Sequence, residues 1–203
     1  SSARRDHMGY EVRGRAATQS FYDCPFGTGG DHISRGVYIT NFPGETLRKV
    51  SFRYETLTGG VRTMLLTARQ DGYGGSVVGV VQTKTINFTG GAAGGQVIDW
   101  DFGGAFVRKN GTITFTHEVT AGDGNVYHSP TTGACSNVVE TEGTGGTLDT
   151  TRGTRGIKVT GDREAGYRQV VEYFVPSLNH YFISGRPNEQ ALLDQFPAVY
   201  QRT

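Results

Sequence analysis

The sequence predicts an all-β protein: an antiparallel two-sheet sandwich, jelly-roll-like, with a small C-terminal α+β unit. Three observations carry that prediction. The 203 residues include 31 glycines, 11 phenylalanines and 10 tyrosines, and glycines and threonines punctuate aromatic and β-branched runs, as in short strands joined by tight turns. Apolar residues alternate along these runs, and no segment before Gly185 has helical periodicity. The aromatics supply a core that a glycine-rich disordered chain would lack.

The elements follow in order. Residues 1–8 form a polar run ending in His7-Met8 and read as vector-derived, so the sandwich is expected over residues 9–162. The clearest strand covers residues 47–57, where Val50, Phe52 and Tyr54 share one face and Lys49, Ser51 and Arg53 the other. Thr58-Gly59-Gly60 then leads into residues 61–68, which reads as a hairpin. Residues 76–88 form a longer β-branched run, closed by the glycine-rich stretch 89–95. In residues 96–102, Ile98, Trp100 and Phe102 alternate with Asp99 and Asp101, which assigns Trp100 to the core. Asn110-Gly111 marks a turn into residues 112–120, with Ile113 and Phe115 facing inward. Shorter strands are expected at 37–40, 125–128, 138–141 and 156–160.

Composition shifts at residues 161–166, Gly-Asp-Arg-Glu-Ala-Gly, read as a charged linker to a unit over residues 163–203. That unit holds strand patterns at 167–175 and 179–184 and a short helix with Pro187 in its first turn and Ala191, Leu192 and Leu193 as its apolar residues. A further strand begins near residues 198–203. So short a unit makes a poor independent core, and is expected to pack on the sandwich or on another domain.

Charge and cysteines bound the function. The formal net charge is +1, so no strong field gathers phosphates, and nucleic acid is not an expected partner. No run approaches the roughly 20 apolar residues of a membrane helix, and membrane insertion is not expected. The even cysteine count favours a disulfide between Cys24 and Cys135, the alternative being two reduced thiols. Such a bridge closes a loop of about 110 residues, which the chain-entropy model values at about 4–5 kcal/mol.

Near the C-terminus stand Val170-Val171-Glu172-Tyr173-Phe174, Leu178-Asn179-His180-Tyr181-Phe182-Ile183, Pro187, residues 189–194, and Tyr200-Gln201-Arg202-Thr203. This series resembles a short repeat reading V-V-E-Y-Y, L-D-H-Y-F-I and, after a helix, W-Q-R-T-G, found toward the C-terminus of secreted bacterial proteins. Asn179 replaces the usual Asp and Tyr200 the usual Trp, and the sequence stops after Gln-Arg-Thr, which suggests a truncated unit. The resemblance implies export and a bacterial source; the repeat has no assigned activity. Residues 135–160 also resemble, more loosely, the end of glycine-rich sandwich modules in such proteins, through Val139-Glu140-Thr141, Leu148-Asp149-Thr150 and Gly156-Ile157-Lys158-Val159.

The sequence holds binding candidates and no recognisable catalytic set. There is no His-Glu-x-x-His, no G-x-S-x-G and no P-loop, and the five histidines have no metal-ligand spacing. No organic cofactor is expected. Asp99 and Asp101 flank Trp100; paired carboxylates beside an aromatic are what a glycoside hydrolase uses, and also what any solvated strand face shows. They and Asp123 are the candidates for a structural Ca²⁺, although Asp123-Gly124-Asn125 is also an ordinary turn. In the loop Arg69-Gln70-Asp71-Gly72-Tyr73-Gly74-Gly75, a ring held among glycines reads as an exposed ligand contact, with Arg69 and Asp71 available to hydrogen-bond hydroxyls. Three functions follow as expectations. The first is a non-catalytic extracellular module binding carbohydrate or another cell-surface component. The second is a structural spacer joined to other domains of a longer polypeptide. The third is a glycan hydrolase using Asp99 and Asp101.

Overall fold

A computed structural model describes residues 10–12, 17–141, 148–149, 154–163, 168–184 and 186–203. The vector-like residues 1–8 lie outside the described residues, as does part of the segment 135–160. In chain order the strands are β1 Tyr10–Val12, β2 Ala17–Cys24, β3 Asp31–His32, β4 Val37–Phe42, β5 Thr46–Thr56, β6 Gly60–Gln70, β7 Gln82–Phe88 and β8 Gln96–Phe106. There follow β9 Gly111–Ala121, β10 Val126–His128, β11 Val138–Thr141, β12 Leu148–Asp149, β13 Ile157–Arg163, β14 Arg168–Val175, β15 His180–Ser184 and β16 Gln201–Arg202. One α-helix, α1, spans Pro187–Leu193. The chain divides into two compact units, with Ala17–Arg163 as the larger.

The larger unit is the sandwich. One sheet runs β12-β11-β4-β9-β6-β7; the other runs β2-β13-β5-β10-β3, with β8 pairing β5. All pairings are antiparallel. Their inner faces meet in a core where Phe52, Tyr54 and Trp100 from one sheet face Met64, Leu66, Ile113 and Phe115 from the other, all fully buried. Phe52 meets Phe115 edge to face at 6.0 Å, the offset geometry that aromatic quadrupoles favour. Cys24 and Cys135 form a disulfide with Cα atoms 5.7 Å apart, within the usual range for a bridge.

Residues 47–57 and 61–68 do not form the hairpin expected of them. β5 pairs β13, β10 and β8, whereas β6 pairs β7 and β9. The 58–60 connection therefore crosses between sheets, so that Phe52 and Tyr54 oppose Met64 and Leu66 across the core instead of lying beside them. Gly60 makes the crossing at φ 133°, a conformation closed to residues with a Cβ. The run 76–88 also shortens: only Gln82–Phe88 is strand, and Val77, Val80 and Val81 stay exposed, since β-branching alone supplies no buried face. Residues 161–163, read as linker, are the end of β13, where Asp162 is held by Arg48, Thr18 and Thr46.

The smaller unit draws on both ends of the chain. β1 pairs β14 through Tyr10↔Val170 to Val12↔Arg168, so Tyr10–Val12, expected at the front of the sandwich, belongs with the C-terminal strands. β14 also pairs β15 and β16. On one face Val171, Tyr173 and Leu193 form a small core with Phe182 and Tyr200 against it. The Tyr173 hydroxyl donates to Asp194 Oδ1 at 2.9 Å at the end of α1. Asn179 has φ 49° in the β14–β15 turn, a conformation that Asn and Asp both tolerate.

Candidate functional site

The residues singled out in the sequence fall into separate places. Tyr73 is half-buried: its hydroxyl hydrogen-bonds Thr141, and its ring meets Tyr38 edge to face at 6.0 Å, so the loop folds onto β4 and β11. The turn that folds it back is fixed by Gly75, where a Cβ would come within 1.6 Å of the Gln70 carbonyl oxygen. Asp71 is exposed, at φ 67°, and forms an ion pair with Arg108. Arg69 donates to the Gly75 carbonyl at 3.1 Å. Arg69 thus braces the loop internally, while Tyr73 and Asp71 tie it to Thr141 and Arg108.

Asp99 and Asp101 project from β8 on the opposite sheet. Ser51 donates to Asp99, Lys49 lies 3.7 Å from its other oxygen, and the Gly103 amide donates to Asp101 at 2.8 Å. Asp123 accepts from the Asn125 amide at 3.1 Å, an Asx turn. Among the described residues no group of three or more His, Cys, Asp or Glu side chains could hold a metal ion. Tyr73 and the Asp99–Asp101 pair are thus not brought together.

Asp99 instead joins Lys84, Thr85, Ile86, Asn87, Gln96, Val97 and Ile98 around an open cleft of about 570 Å³ between β7 and β8. Gln96 Nε2 donates to the Asn87 carbonyl at 2.7 Å and ties the two strands at one end. Lys84 Nζ sits 5.9 Å from the centroid of the Trp100 ring.

Sequence reasoning missed a buried polar chain between the sheets. Trp100 Nε1 donates to the Tyr54 hydroxyl at 2.9 Å, and that hydroxyl also bonds His117 Nε2 at 2.9 Å. The His117 and His128 rings lie 5.7 Å apart, and His128 Nε2 is 3.3 Å from Glu140 Oε1. Arg155 approaches Glu140 at 3.4 Å and Asp31 at 3.7 Å. Burial lowers His117, and His128 falls to about 3 through burial and then the Arg155 charge. Burial lifts Glu140 to about 7 against the opposing pull of Arg155. Both histidines are therefore neutral at pH 7, and His128, Glu140 and Arg155 are at most 3% exposed, the chain reaching solvent at Asp31, 30% exposed. Inward positions of β9, β10 and β11 were the only signal for it.

A third feature lies on the smaller unit. The sheet face opposite α1 carries Phe174 and Tyr181, ring centroids 4.7 Å apart. The register sets Gln201 beside Phe174, and Glu172 beside Ile183 one row away. Tyr181 is 48% exposed.

No family model matches the chain, and no curated protein matches it. One solved structure, described as "Structure of infectious bursal disease virus Gx strain", is similar at 11% identity with a TM-score of 0.24. The match covers 93% of this chain, which spans about half, 48%, of that one. At that score the likeness carries no argument about function.

Proposed function

We propose that this protein is a non-catalytic binding module of an exported bacterial protein, and that it binds carbohydrate on the open β14–β15–β16 face. The observation carrying this is the Phe174–Tyr181 pair, Tyr181 exposed and Phe174 half-buried, flanked by Gln201 and Glu172. Aromatic surface takes the apolar face of a sugar ring, and a few placed amide and carboxylate groups orient its hydroxyls. Export is supported by the Cys24–Cys135 bridge, a bond that persists in oxidising compartments, and by the repeat resemblance. The burial of His117, His128 and Glu140 and the structural engagement of Asp99 and Asp101 favour binding over hydrolysis.

The test is a glycan array with the full chain, followed by titration of the best ligand. Tyr181→Ala should weaken binding at least tenfold, about 1.4 kcal/mol, while Tyr73→Ala should leave it unchanged. An array without a hit, or affinity indifferent to Tyr181→Ala, rejects the reading. A spacer role has one observation in its favour: Leu178 and Ile183 are 69% and 63% exposed, as a surface covered by a neighbouring domain would be. It predicts that no glycan shifts the Tm.

A further inference from the structure

We infer that the cleft between β7 and β8 is a docking site for an extended peptide, which adds as a strand and places an acidic side chain against Lys84. Residues 84–87 and 96–99 line the cleft as two unbroken runs. Successive side chains of a strand point to opposite faces, so a cleft lined by consecutive residues sees each strand edge-on. Both edges lack a strand partner among the described residues: β7 ends its sheet, and β8 pairs β5 alone. An edge presents amide and carbonyl groups at strand spacing, which a peptide backbone matches. Four residues on each wall make a run of about 13 Å, the span of a four-residue extended segment.

Charge chooses among occupants. Lys84 is exposed and rests against Trp100, and no ion pair engages it among the described residues. Asp99, on the facing wall, already has Lys49 and Ser51. An incoming carboxylate therefore finds a cation that has an aromatic contact and no ion pair among the described residues. A second copy of this chain pairing its own β7 across a two-fold at the cleft would bring Lys84 toward Lys84, and like charges oppose that. A lysine on an edge strand guards against self-pairing while leaving an acidic strand welcome.

The experiment selects phage-displayed linear peptides on the full chain and on Lys84→Glu. Wild type should enrich an acidic, proline-poor consensus. The resulting synthetic peptide should bind Lys84→Glu at least tenfold more weakly and Lys84→Arg about as well as wild type. N-methylation of alternate peptide amides should abolish binding, and hydrogen exchange should slow in residues 82–88 and 96–102. The proposal is overturned by selection that enriches nothing, by binding that survives N-methylation, by protection elsewhere, or by concentration-dependent dimerisation through this edge. Tyr181→Ala should leave peptide binding intact, which separates this site from the glycan face.

Discussion

Tyr54 stands where three core rings meet, and its single hydroxyl serves Trp100 and His117 together. Tyr54→Phe keeps the ring and strips both partners of their bond, so each buried polar group is left unsatisfied. The expected loss is about 1–3 kcal/mol, read by urea denaturation; an unchanged midpoint would contradict the role. Proton linkage acts through residues of the same interior. His128 has a folded value near 3 against 6.5 unfolded. The unfolded chain therefore takes the proton first, and stability falls as pH drops from 6.5 toward 3. Asp162, held down to about 2 chiefly by the Arg48 hydrogen bond and then by Thr18, adds a further loss between about pH 4 and 2. Glu140 acts in the opposite sense: raised from 4.5 to about 7, it lowers stability as pH rises through that interval. Denaturation across pH 3–8 should show a maximum near pH 5–6.5, and a flat acid limb would refute the assignment. At this scale Trp100 was legible because alternation alone buries it. Tyr73 was not, because a glycine-rich loop gives no sign of which surface it folds onto.

Among the elements, strand existence was far more legible than strand pairing. The patterns at 37–40, 125–128 and 138–141 became β4, β10 and β11 nearly unchanged, since each alternates about a buried face. The β5–β6 pairing was misread because a hairpin and a crossing arch share one signature, two alternating strands around glycines. Only the competition of whole faces for the core decides between them. The helix was legible from Pro187 and its apolar residues, whereas β1 was not, because its partner lies about 160 residues away in sequence. The β3–β10 corner yields a prediction of its own. Gly30 adopts φ 131°, and a Cβ there would meet the His128 carbonyl oxygen at 1.8 Å. Gly30→Ala should cost about 1–3 kcal/mol from backbone strain alone, seen as a lowered Tm with the far-ultraviolet spectrum retained. A neutral substitution would mean that the β3 corner rearranges freely.

For the whole molecule, the Cys24–Cys135 bridge links the end of β2 in one sheet to the segment leading into β11 in the other. The pair was legible from its count and setting, while the sheets it joins were not. Replacing both cysteines by serine should lower stability by about 2–5 kcal/mol, and intact mass should rise by about 2 Da on reduction, with the two cysteines otherwise unpaired. The binding face of the small unit was least legible of all. An ordered series of aromatics names a core, and only pairing and helix placement decide which rings the helix leaves uncovered. The entry of β1 into that unit has a consequence for biosynthesis. Ala17 pairs with Arg163 at the two ends of the sandwich, so the sandwich is an insertion whose ends lie side by side. On the ribosome, Tyr10–Val12 emerges early and must wait until β14 is made before it has a partner. The sandwich can close in that interval, so the smaller unit is completed only after the sandwich inserted in it has been made.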